Sequence, residues 1–179
     1  MSKLLPIVEY PNPVLTTKAK PIETITQEIQ QLAQDMLHTM QASGGIGLAA
    51  NQVGVLQRII VTNIETSATD YCNATMPLVL INPEVTYASK ELMEYSEGCL
   101  SFPGLHFPVK HPNHVKVSYT NLQSQPCEVE AFGLHAICLQ HEIDHIDGIL
   151  FIHRVSSLKR DMLLRKYRKI KQERQNSPN

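Results

Sequence analysis

His141-Glu142-Ile143-Asp144-His145 is the stretch that decides how this chain is read. On a helix, residues four apart share a face, so both imidazoles can reach one cation. Glu142, beside the first imidazole, then lies next to any water on that cation. Two neutral nitrogen ligands and a proton acceptor are what a metal hydrolase needs. The surrounding run favours a helix. Phe132 to Ile146 contains no Pro, and its one Gly, Gly133, stands near the start. Gly148 falls where a helix is stopped by a left-handed residue. Leu134, Ile137, Cys138 and Ile143 recur at three- to four-residue spacing, which predicts a largely buried helix. Two histidines and two acids on such a helix need partners, because buried polar groups without them are costly.

A metal site with an open position needs a third protein ligand. No His-x-x-Gly-x-x-His continuation follows His145, so the ligand is expected upstream, in Glu97-Gly98-Cys99-Leu100-Ser101. Cys99 becomes a soft anionic donor once a cation deprotonates it, and Gly98 permits close backbone approach. Cys72, Cys127 and Cys138 read as small buried apolar residues.

Gly44 to Gln52 (Gly-Gly-Ile-Gly-Leu-Ala-Ala-Asn-Gln) is small, apolar and uncharged. It formally fits a dinucleotide fingerprint, but that fingerprint must follow a strand and open a helix. Here an amphipathic helix precedes and a strand-like run follows. The better reading is a loop whose backbone lines a cleft, with Gln52 as a positioned amide donor.

Gly45 to Gln52, Glu97 to Ser101 and His141 to His145, in that order, resemble the peptide deformylase family, whose pattern is GxGLAAxQ, EGCLS and HExDH. The likeness covers most of the chain. It implies one divalent metal on Cys99, His141 and His145, with water completing the site. It makes Glu142 the general base and then the general acid, and Gln52 with the backbone N–H of Leu100 the oxyanion hole. Gly47 would let its loop approach. The methionine pocket would use Leu134, Ile137 and Cys138, which lie a turn or two before His141, joined by Ile46 and Tyr95, with Glu97 and Gly98 completing the substrate wall. The implied reaction removes the formyl group from the formylmethionine of nascent polypeptides, releasing formate. The resemblance favours iron(II) in the cell, with zinc, nickel or cobalt accepted by the same donors. One departure stands out: where many members carry an Arg that pairs with the Glu of EGCLS, this chain has His111, the expected partner of Glu97.

Three other classes use some of the same residues: a zinc endopeptidase, a Cys-His nucleophilic hydrolase built on Cys99, and a binding protein without catalysis. A chelator and a choice between formylated and internally blocked peptides separate them.

Composition sets the frame. The 179 residues, 42% of them hydrophobic, suit one domain spanning 1–179 with a sizeable core. Four cysteines without paired spacing predict a reducing compartment. No signal-peptide core and no run near the roughly 18 apolar residues of a membrane span are present, so the cytoplasm and no membrane contact are expected. The fold expected is α+β: mostly antiparallel strands around the buried metal helix, with an N-terminal and a C-terminal helix.

The N-terminal helix should run to about Gln41, capped by Thr24 or Thr26, with Thr24 and Gln27 as a capping box. Strands are predicted at Leu56–Thr62, Leu78–Ile81 and Glu91–Tyr95, and a hairpin at Val115–Thr120 and Cys127–Ala131. The last helix should cover Arg154 to about Gln175, with Ser156 as its cap. Arg154 to Arg174 carries nine Lys/Arg and two acids, a net of +7 in a chain whose net is −1. Such a face is usually solvated. The family resemblance leaves ribosome contact through it open, for a protein expected to be monomeric.

Overall fold

The computed structural model of the protein describes residues 2–63 and 77–176. Thr26, not Thr24, caps the first helix, α1 (Gln27–Ala42), and its hydroxyl accepts from the N–H of Ile29 at 3.5 Å. The expected Thr24–Gln27 box does not form, because Gln27 is already the first helical residue. Ile29, Ala33, Met36 and Met40 make the buried stripe of α1.

Five strands form one antiparallel sheet in the order β1 (Gly47–Ala49), β2 (Ile59–Thr62), β3 (Leu78–Ala88), β6 (His114–Thr120), β7 (Pro126–Phe132). The small-residue stretch expected as a loop therefore holds a three-residue strand and then a 3-10 turn, Ala50–Val53. β2 begins three residues later than expected. β3 runs seven residues past Ile81, because Asn82-Pro83 is absorbed as an irregularity between Ile81 and Glu84 rather than ending the strand. Asn82 takes a positive φ of 51° and bonds both the N–H and the C=O of Ile22 at 2.8 Å. The β6–β7 hairpin matches expectation, and Asn121 Oδ1 ties its turn by accepting from the N–H groups of Gln123 and Gln125.

A separate two-stranded ribbon pairs β4 (Leu92–Gly98) with β5 (His106–Pro112). β5 was not expected, since Pro108 and Pro112 argue against a strand. β5 pairs on one side only, where a missing N–H is tolerated.

β7 leads directly into α2 (Gly133–Ile146), which is buried at every position from His135 to Ile146. Ala136, Leu139, Ile143 and Ile146 pack on the sheet. Gly148, two residues past the helix, has φ +77°, and a Cβ there would lie 2.7 Å from the Thr16 carbonyl oxygen. A 3-10 turn, Phe151–Arg154, separates α2 from α3 (Ser157–Asn176), so the last helix starts later than Arg154. Ser156 Oγ accepts from the N–H of Lys159 at 3.4 Å. α3 buries Leu163 and Tyr167, the latter 5.0 Å from Phe102 between ring centres.

Cys138 is a buried thiol, as expected. Cys127 is buried but disulfide-bonded, which corrects the expectation of four free thiols. Cys72 lies outside the described residues.

Candidate metal centre

α2 presents His141 and His145 one turn apart, with ring centres 4.9 Å apart. Cys99 follows the last residue of β4 and brings Sγ to 3.2 Å from His145 Nε2. The three ligand atoms of Cys99, His141 and His145 all lie within 4.8 Å of one another. Metal–sulfur and metal–nitrogen bonds of about 2.0–2.3 Å fit one cation among donors that close. Asp144, the other acid of the motif, is turned away and paired with Arg154, whose Nη2 lies 2.6 Å from its Oδ1.

Glu97 organises the ligands. Its Oε2 lies 2.6 Å from His141 Nδ1. That contact fixes the tautomer and leaves His141 Nε2 for a cation, the usual carboxylate–histidine support. Its Oε1 lies 2.6 Å from His111 Nε2. This second contact is close, although its angles fall outside strict hydrogen-bond geometry. Glu97 and His111 are 4% and 1% exposed. Burial alone would raise the Glu97 carboxyl, but His111 and His141 outweigh it and hold it down to about 2. Burial, then the charge of His141, pushes His145 well below the usual histidine range, so it stays a neutral donor. For His141 burial is opposed, and outweighed, by its contacts with Cys99 and Glu97, which raise it.

Glu142 is 4% exposed and its Oε2 has no hydrogen-bond partner. Burial first, and the Glu97 charge after it, push its carboxyl up to about 7 against the pull of His141. Gly47 of β1 packs against it: a Cβ at Gly47 would lie 2.5 Å from Glu142 Oε1 and 2.8 Å from Cys138 Sγ. Gln52 Oε1 accepts from the N–H of Ala49 at 2.9 Å. That bond turns its amide nitrogen toward the site, 3.5 Å from Cys99 Sγ and 3.2 Å from Ser101 Oγ.

A cavity of about 390 Å³ opens over this cluster. Cys99, His141, Glu142, Gln52, Gly47 and Leu100 line it, so the expected chemistry is brought together. Ile46, Tyr95, Leu134, Ile137 and Cys138 line it too, as do Glu97 and Gly98. His145 is not among the lining residues. The residues not anticipated are Ser96, Pro103, Gly104 and His106, which belong to the ribbon and the turn that closes it. Their only signal was the alternation of Phe107, Val109 and His111, masked by the prolines.

A helix-borne histidine pair, a cysteine sulfur from a second element and a buried carboxyl beside them fit the class of metal-dependent hydrolases. Comparison with known proteins narrows the class. The family model for polypeptide deformylase matches residues 4–161. A peptide deformylase of Acinetobacter baumannii (strain SDF) is 46% identical over 172 residues, which is 96% of this chain and 94% of that protein. One from Rhizobium meliloti is 45% identical, covering 92% of each. A crystal structure of a peptide deformylase from Legionella pneumophila superposes with a TM-score of 0.87 at 38% identity, covering 98% of this chain and all of that one. The Ehrlichia chaffeensis enzyme in complex with actinonin gives 0.84 at 38% identity, covering 94% and 98%. The chain belongs to the peptide deformylase family, and it is a metal-dependent enzyme that removes the formyl group from nascent peptides.

Proposed function

We propose that Glu142 is the proton carrier of this deformylation, that Gln52 Nε2 and the backbone N–H of Leu100 are its oxyanion donors, and that Cys99, His141 and His145 are the only protein ligands. The observation that carries this reading is the buried Glu142 carboxyl, with an unpartnered oxygen, beside three converging S/N/N donors, two of which line the same cavity as Glu142. A cation held by Cys99, His141 and His145 would supply Lewis acidity there. The protein does the rest. Glu142 takes a proton as the water oxygen bonds to the formyl carbon and the carbonyl electron pair moves to oxygen. Gln52 and Leu100 donate to that oxyanion; losing one such donor typically costs about a hundred- to a thousandfold. Glu142 then hands its proton to the amide nitrogen, the C–N bond breaks, and formate and a free amine leave.

Ile46, Tyr95, Leu134, Ile137 and Cys138 would hold the methionine side chain, with Gly98 leaving room for the substrate backbone. Glu97, committed to His141 and His111, positions a ligand. We assign iron(II) as the native ion on the family resemblance; zinc, nickel and cobalt suit the same donors. We further propose that the protein acts in the cytoplasm, where nascent formylated peptides are its substrate, as a monomer with one catalytic domain over 1–179. Among the described residues no helix is long and apolar enough to cross a membrane. The exposed cations of α3 suit ribosomal RNA as a partner. The test is turnover of a formylmethionyl peptide against an internally blocked peptide by protein purified without oxygen, with metal analysis. Cleavage of the internal peptide, or activity that survives a chelator, would refute the reading.

A further inference from the structure

His106 opens β5 and pairs across the ribbon with Gly98, the residue before Cys99. This is the terminal pair of the ribbon, at the metal end. The imidazole occupies the space a side chain would take on Gly98: a Cβ there would lie 2.4 Å from His106 Nε2 and 2.6 Å from Cδ2. The ring lines the same cavity as Glu142, yet the residue is exposed, so it stands at the lip. Among the described residues, neither ring nitrogen has a protein partner. Two other polar side chains of the cavity wall already have protein partners: Gln52 bonds to Ala49 and Ser101, and Glu97 contacts His141 and His111. His106 is thus an imidazole held at the lip with no protein partner among the described residues.

We propose that His106 binds substrate: its ring N–H donates to a main-chain carbonyl of the peptide beyond the formylmethionine. The proposal rests on the deformylase reading, which puts formylmethionine in the cavity and the rest of the chain at its mouth. An extended chain advances about 3.3 Å per residue, so the second or third residue passes the lip. Nascent chains differ in side chains but all present carbonyls, and imidazole carries an N–H donor in either protonation state. One such donor favours peptides over free formylmethionine without selecting a sequence.

The experiment measures kcat and KM of the metal-loaded protein for formylmethionine amide and for amides of formyl-Met-Ala and formyl-Met-Ala-Ala. Calorimetry adds the Kd of the product peptide Met-Ala-Ala amide. His106→Ala should raise the tripeptide KM, and the product Kd, by about threefold to tenfold, the range of one neutral hydrogen bond. The loss should be smaller for the shortest substrate. His106→Gln, which keeps an N–H donor, should recover most of it. An equal loss at every length, no loss at all, or Ala and Gln behaving alike would overturn the proposal. Wild-type protein that releases formate from no substrate would instead overturn the deformylase reading, and the proposal with it.

Discussion

Glu142 should make the metal-free protein less stable as pH rises, and Glu142→Gln should remove that dependence. In the fold its carboxyl is pushed up to about 7 from an ordinary 4.5, mainly by burial. Between those values the unfolded chain has lost the proton and the folded one keeps it. The folded state then binds more protons, so stability falls with pH and levels off above about 7. A gap of roughly 2.5 units, at 1.36 kcal/mol each, amounts to about 3 kcal/mol. Gln has the same size and stays neutral, and Glu142 Oε2 has no protein hydrogen bond to lose. Chelator-treated wild type and variant should therefore match below about pH 4.5. At pH 8 the variant should melt about 6–12 °C higher, at 2–4 °C per kcal/mol for a chain of this size. A bound cation stabilises the carboxylate, so the metal-loaded pair should differ less. The same variant should retain metal while turnover falls by about two to four orders of magnitude. Thermal midpoints across pH 5–8 decide the matter: parallel profiles for the two metal-free proteins would refute the claim that Glu142 is buried against its charge.

Cys99→Ala should lose stoichiometric metal together with activity, checked by metal analysis of the purified variant; full metal content would mean a ligand other than these three. Gly47→Ala places a methyl 2.5 Å from Glu142 Oε1, inside contact distance; with metal retained, kcat should fall about a hundredfold, the scale of a 1 Å misplacement, and normal kcat would show that the loop yields freely. Glu97 is held at about 2 against an ordinary 4.5. Its ionised form therefore supports the fold fully above about 4.5, and that support fades as pH falls toward 2. Glu97→Gln should flatten the acid limb of the stability profile and weaken metal binding about ten- to a hundredfold, read by acid titration and competition with a chelator; an unchanged acid limb would deny the carboxylate its role.

What the sequence made legible was local. The His141–His145 pair is set by helix geometry alone, and the buried α2 around it follows from a three-to-four apolar spacing. The β6–β7 hairpin is legible because period-2 alternation flanks a polar turn. Cys99 was the best upstream candidate for a third ligand because no His-x-x-Gly-x-x-His continuation follows His145, and the resemblance of Glu97 to Ser101 to the family pattern implied the ligand role. His111 was legible only as a departure from family pattern; the structure shows the pairing with Glu97 to be wholly buried, which no local signal states. The misses share one cause. Pro108, Pro112 and Asn82-Pro83 look like strand breakers, and pairing partners far along the chain override them. β5 tolerates its prolines because only β4 pairs with it. β3 continues past Asn82 because Arg58 and Ile22 bond to it.

That non-local pairing also explains how the site is built. The helix supplies two nitrogens and the Glu142 carboxyl, but Glu97 and the lip come from a ribbon outside the main sheet, and the Cys99 sulfur follows directly after its first strand. Register does the joining. Glu97 pairs with Phe107, so His106 and His111, one and four residues from that partner, end up at opposite levels of the ribbon. His111 points inward beneath Glu97, and His106 stands exposed over Gly98. A one-residue slip would exchange inward and outward faces along the whole of β5. It would expose His111, bury His106 and strip Glu97 of one partner. Phe107 and Val109, buried at 4% and 1% exposure beside Phe151 and Leu150, oppose that slip. The apolar packing under α3 therefore sets the register that places Glu97 against His141, although no side chain of α3 lines the cavity.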